Sequence, residues 1–119
     1  MSSPPVVPLD VQFLLSQVGG NATVAKLVVE EFTTQTPIDR DRLAQLLGAK
    51  DLTGAEKVSH SLKGASAVLG ATQLRALAAD LEIVCREQNE SAANETFQKL
   101  VDEVTRCMEY APTLLEQLG

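Results

Sequence analysis

Thr53-Gly54-Ala55-Glu56-Lys57-Val58-Ser59-His60-Ser61-Leu62-Lys63-Gly64-Ala65-Ser66-Ala67-Val68-Leu69-Gly70 is the stretch from which the fold can be read. Thr53 followed three residues later by Glu56 has the form of a capping box, in which each side chain satisfies a backbone N–H at a helix start. The spacing predicts a helix over residues 53–69. Gly70 ends it, because glycine enters the left-handed conformation at little cost. On a wheel of about 100° per residue, Val58, Leu62, Ala65 and Leu69 gather on one side. His60 points almost the opposite way. One helix thus carries a core stripe and a solvent-facing imidazole.

The pattern continues on both sides. Downstream, Thr72 is placed to cap a further helix through Leu74, Leu77, Ala78, Leu81, Val84 and Cys85, and Gln88-Asn89-Glu90 breaks it. The last helix carries Phe97, Leu100, Val101, Val104, Met108 and Leu115, with Pro112 near its end. Upstream, Asn21 caps a helix on Val24, Leu27, Val28, Phe32, Ile38, Leu43, Leu46 and Leu47, which reaches Gly48. Pro37 either kinks this helix or splits it, and the return of the apolar stripe beyond it favours the kink. Asp10 caps a short first helix with Val11, Leu14, Leu15 and Val18 on one face, stopped by Gly19-Gly20. Residues 1–8 hold three prolines and two serines and read as a flexible lead-in to one domain over residues 9–119. Short connections force antiparallel neighbours. The predicted fold is all-α: an antiparallel up-down-up-down four-helix bundle with an additional short N-terminal helix.

Composition agrees and removes several functions. The 119 residues are 45% hydrophobic and 22% charged, a globular balance, with 3% aromatic and no Trp. Leu, Ala and Val dominate, which favours helices over an aromatic-rich β-sandwich. Sixteen acidic residues against ten basic ones argue against nucleic-acid binding. One His and two Cys cannot assemble a structural zinc site. No apolar run is long enough to span a membrane, and no secretory signal is evident, so the expected compartment is the cytoplasm. Cys85 and Cys107 then read as free, buried thiols. Three N-glycosylation sequons, at Asn21, Asn89 and Asn94, read as coincidental. No second apolar face is evident, which favours a monomer.

The surroundings of His60 carry chemical content. Lys57, Lys63, Gly64 and Ala67 share its outer face: two cations and two very small residues. A solvated imidazole offers a nucleophilic nitrogen near neutral pH. Neighbouring ammonium groups would offset the charge of a phosphoryl group arriving there. Glycine within a helix costs about 1 kcal/mol relative to alanine, so Gly64 at an exposed position invites a reason other than folding. The plainer reading is an ordinary surface histidine among solvated lysines. A hydrolase built on His60 with Ser59 or Ser61 is disfavoured, because adjacent helical residues diverge and no third group is evident.

His60-Ser61-Leu62-Lys63-Gly64-Ala65-Ser66 resembles the signature of histidine-containing phosphotransfer (HPt) domains, a His-x-Leu-Lys-Gly stretch on one helix of a four-helix bundle. Leu69-Gly70-Ala71, Leu74 and Leu81-Glu82 look like its continuation, and Leu9-Asp10, Gly19-Gly20-Asn21 and Phe32 fit the pattern upstream. The resemblance covers residues 9–115. It implies that His60 accepts and donates the phosphoryl group, that Lys63 stands beside that group, and that Gly64 leaves room for the partner. It further implies a shuttle between phosphoaspartates of response-regulator receiver domains, fed by a hybrid sensor kinase, with no ATP-dependent activity of its own. Mg²⁺ would belong to the receiver, because no carboxylate cluster is expected around His60. Lys57, Ala67, Ala71 and Arg86 would meet the partner. Relatives often carry an amide where Glu82 aligns. A carboxylate would repel a phosphoryl group, so Glu82 and Arg86 read more simply as a surface i, i+4 pair. Two alternatives stay open: a non-catalytic helical adaptor, and a phosphoacceptor domain cut from a hybrid sensor or chemotaxis kinase. The Met start favours a standalone protein.

Overall fold

The computed structural model describes residues 7–119, so most of the expected lead-in lies outside the described residues. Five helices follow in order: α1 (Val11–Gln17), α2 (Ala22–Gly48), α3 (Leu52–Val68), α4 (Thr72–Arg86) and α5 (Glu90–Gln117). Among the described residues there is no strand. α2 to α5 are joined by three-residue connections and pack α2 on α3, α3 on α4, α4 on α5 and α5 back on α2. The result is a closed antiparallel bundle, with α1 laid against α2 and α3.

The helix starts follow capping chemistry. Asp10, Asn21, Asp51 and Asn89 each accept a backbone N–H three residues on, from Phe13, Val24, Gly54 and Ala92 at 2.9–3.1 Å. Two expected caps are therefore corrected. α3 starts from Asp51 and not from the Thr53–Glu56 box, because the Asp51 carboxylate reaches the Gly54 N–H. A Cβ at Gly54 would fall 2.7 Å from Asp51 Oδ2, so a larger residue there would displace the capping carboxylate. α4 begins at Thr72 itself, behind Ala71, with no side-chain cap. α2 runs through Pro37 as one helix, and α5 through Pro112.

Each tight connection turns on one left-handed residue: Lys50, Gly70 and Gln88, with φ of 60°, 62° and 59°. Only at Gly70 does space also demand glycine. A Cβ there would lie 2.7 Å from Asp10 Cβ and 3.2 Å from Phe13 Cβ. Asp10 N–H donates to Leu69 O at 2.9 Å, so the start of α1 is clasped to the end of α3.

The core is aliphatic: Leu14, Leu43, Leu62, Leu74, Leu81, Leu100, Val104 and Leu114 are fully enclosed. Cys85 and Cys107 join it as free thiols, and burial pushes both upward, Cys107 to about 12. α3 also buries Ser59 and Ser66, whose hydroxyls donate to Ala55 O and Leu62 O one turn back. Those bonds satisfy the hydroxyls within the helix, so small side chains sit in the core without unpaired polar atoms.

Two stripe assignments are corrected. α2 buries Ala25, Val29, Phe32, Thr36, Asp39, Leu43 and Leu47 and exposes Val24, Leu27 and Ile38. Its sequence holds two overlapping apolar stripes one residue apart, and packing rather than periodicity selects between them. In α3, Ala65 is exposed and Ser66 takes the core position. No helix among the described residues is long and apolar enough to cross a membrane.

Candidate functional site

α3 presents His60 on its outer surface, with 67% of the side chain exposed. The imidazole is nevertheless fixed. Its Nδ1 lies 2.8 Å from Glu82 Oε2 on α4. An ionised carboxylate only accepts hydrogen bonds, so Nδ1 carries the proton and donates it. In the neutral ring, the lone pair then belongs to Nε2, the ring nitrogen outside that bond.

Glu82 is the residue that sequence reasoning misplaced. Its side chain is 8% exposed, not a solvated surface group. Its Oε1 accepts from Lys63 Nζ at 2.7 Å, and its Oε2 accepts from Arg86 Nη2 at 3.2 Å besides His60. The hydrogen bond from Lys63 holds the Glu82 carboxyl below its ordinary value, against the opposing effect of burial, with His60 adding to the lowering. The signal was present in the sequence. Leu74, Ala78, Leu81 and Cys85 form the buried stripe of α4, and Glu82 sits within it. A charged residue on an apolar stripe implies a bonded partner.

The other expected residues fall in different places. Lys63 is turned toward Glu82. Lys57 is exposed one turn before His60, and Ala67 is half-buried. Ala71 is fully buried, so it presents no surface to a partner, which corrects its expected role. Arg86 is engaged with Glu82 and also donates from Nε to Glu56 Oε2 at 2.9 Å. Glu82 and Glu56 thus add carboxylates beside a face expected to carry two cations, Lys57 and Lys63, and two small residues. They do not form a metal site: among the described residues no cluster of three or more His, Cys, Asp or Glu could hold a metal ion.

Gly64 lies one turn beyond His60, and a Cβ there would meet nothing within 4 Å. The protein's own packing therefore does not require glycine at this position. Past Gly64, on the α2 side, Ala65 and Val68 form a groove with Val24, Leu27, Val28 and Phe32. It encloses about 420 Å³ and is almost wholly apolar. Leu27 is 59% exposed there, which corrects the expectation that no second apolar face exists.

A nucleophilic nitrogen held in one tautomer, a lysine bound to the same carboxylate and an open surface beside it can take up an electrophilic group from a docked partner. Comparison with known proteins identifies the fold and the family. The family model of the Hpt domain matches residues 27–118. The crystal structure of the HPT domain from an Hpt sensor hybrid histidine kinase of Shewanella shares the fold, with a TM-score of 0.83 at 21% sequence identity. That match covers 94% of this chain and 97% of the Shewanella chain. Among curated proteins no significant match is found. With the family model spanning most of the bundle, including the helix that carries His60, the chain belongs to the Hpt domain family.

Proposed function

We propose that this protein is a phosphocarrier in a multistep two-component phosphorelay and that His60 Nε2 is the atom phosphorylated. The observation that carries this reading is the Glu82–His60 bond, which leaves Nε2 as the free nucleophile on an exposed ring. The Nε2 lone pair attacks the phosphorus of a receiver's phosphoaspartate in line. The N–P bond forms as the acyl phosphate P–O bond breaks, and the aspartate leaves as a carboxylate. The ring is then a phosphoimidazolium with its proton still on Nδ1. Glu82 stabilises that proton in place, as a carboxylate does behind an imidazolium base. Keeping the ring protonated also keeps it a good leaving group. The carboxylate of a second receiver can therefore take the phosphoryl group and regenerate neutral His60.

Lys63, whose charge is shared by Glu82, is the cation on this side that would meet the arriving phosphoryl group. Mg²⁺ that neutralises the transferring charge comes with the receiver, and ATP is not consumed on this side. The receiver docks over His60 and Gly64 and lays apolar side chains into the groove between α2 and α3. A hybrid sensor kinase is the fitting upstream donor, since the Shewanella domain belongs to one. The buried thiols suit a reducing cytoplasm.

The test is incubation with a phosphorylated receiver. Wild type should acquire an acid-labile, base-stable label, and His60→Gln should fold normally and acquire none. Label retained in His60→Gln removes the assignment. No label on wild type from any receiver makes the bundle an adaptor.

A further inference from the structure

Four side chains form a rectangle across the α3–α4 seam. Glu56 and His60 stand one turn apart on α3, and Arg86 and Glu82 face them one turn apart on antiparallel α4. Hydrogen bonds run along three sides, Glu56–Arg86 at 2.9 Å, Arg86–Glu82 at 3.2 Å and Glu82–His60 at 2.8 Å. The geometry points to Arg86, anchored by Glu56, as a positioning residue that holds the Glu82 carboxylate on His60 Nδ1. This rests on the reading of His60 as the phosphoryl acceptor, and it assigns Arg86 and Glu56 a task inside the site rather than at the partner interface.

Glu82 has two competing claims on it. Lys63 takes Oε1 at 2.7 Å, on a flexible stem that could draw the whole carboxylate over. Arg86 opposes that rotation by binding Oε2, the same atom that accepts from His60. A lone arginine at the end of α4 would wander, since 59% of its side chain is exposed. Glu56 fixes the guanidinium through Nε while Nη2 serves Glu82, and an arginine fork presents Nε and Nη2 in rigid relation. Charge points the same way. Within the bonded network two carboxylates meet two cations, Lys63 and Arg86, while Lys57 stands outside it. Removing Arg86 would leave excess negative charge beside the nitrogen that must meet a phosphoryl group.

The experiment uses the whole protein and two readouts: ¹⁵N NMR of the His60 ring without any partner, and the rate of phosphoryl uptake from a receiver. Wild type should show His60 as a single Nδ1–H tautomer. Arg86→Gln should mix the tautomers and slow uptake about tenfold, the low end for losing support behind a reactive imidazole. Glu56→Gln should do the same to a smaller degree. The double variant Glu56→Arg with Arg86→Glu restores an ion pair between α3 and α4 but puts a carboxylate against Glu82. It should fold like wild type and restore neither readout. A wild-type tautomer in Arg86→Gln overturns the inference, and so does recovery of either readout in the double variant. The tautomer signal needs no receiver, so a failed phosphotransfer reading would show as absent uptake in wild type and remain distinct.

Discussion

On its α4 side, His60 meets a carboxylate held by Lys63 and Arg86; on its α2 side, beyond Gly64, α3 meets exposed valine and leucine side chains. The polar flank is directional. Its short hydrogen bonds decide which ring nitrogen is free and how the charge of the product is held. The apolar flank has no such geometry. It offers contact area, which contributes affinity to whatever covers it but does not orient a reacting atom. A single helix thereby separates reactivity from recognition, and substitutions on the two flanks should fail in different ways.

The largest effect should come from the polar flank. Glu82→Ala removes the acceptor from His60 Nδ1 and leaves Lys63 without its partner. Phosphoryl uptake should fall by about 100-fold at saturating receiver, the upper range for loss of a residue that orients an imidazole. Receiver affinity should change little, because Glu82 is nearly buried. Unchanged uptake at saturation would mean that Glu82 holds α3 to α4 and nothing more.

Gly70→Ala tests the clasp between α1 and the end of α3, which involves the side chains of neither flank. The new Cβ would need a left-handed conformation and would collide with Asp10 Cβ. The bundle should lose about 2 kcal/mol, from the left-handed strain and the displaced α1. Thermal unfolding measures the loss. Hydrogen exchange should localise it to α1, while the His60 tautomer stays as in wild type.

Leu27→Asp acts on recognition alone. The side chain is largely exposed in the free protein, so folding should be almost unaffected. Receiver binding should weaken on the order of tenfold, as for an apolar interface side chain replaced by a charge. High receiver concentration should recover the uptake rate, which it cannot do for Glu82→Ala. A rate that stays low at saturation would place Leu27 in the reacting geometry instead.

The two flanks were also unequally legible in the sequence. The bundle, the five helices and the outward turn of His60 follow from apolar spacing and from Asp, Asn and Gly at helix ends. These are local signals, and the structure keeps the helices and the turn of His60, while it moves the caps of α3 and α4 and the buried stripes of α2 and α3. The polar flank needed a tertiary contact: Glu82 pairs with residues 19 and 22 positions away, and i, i+4 reasoning sees only Arg86. The apolar flank was hidden by redundancy. α2 offers Val24-Leu27-Val28 and Ala25-Val29-Phe32 as rival stripes, and only contact with α3 and α5 decides which faces inward. Ala65 and Ser66 exchanged roles for a related reason. The Ser66 hydroxyl bonds to Leu62 O, so its polarity did not bar it from the core.

Gly64 sits on the line between the flanks, and its substitution should give the smallest effects, of opposite sign on stability and function. Its backbone is helical and its Cβ position is open, so Gly64→Ala meets no clash. Alanine lowers the conformational freedom lost on folding, and the variant should gain about 1 kcal/mol in denaturant unfolding. A methyl group beside His60 should at the same time crowd the docked receiver and slow uptake a few-fold, more for Gly64→Gln than for Gly64→Ala. A stability gain without any loss of uptake in either variant would show that glycine is not kept for access. A graded loss with side-chain size, at constant His60 tautomer, would locate the partner's approach directly over this turn of α3.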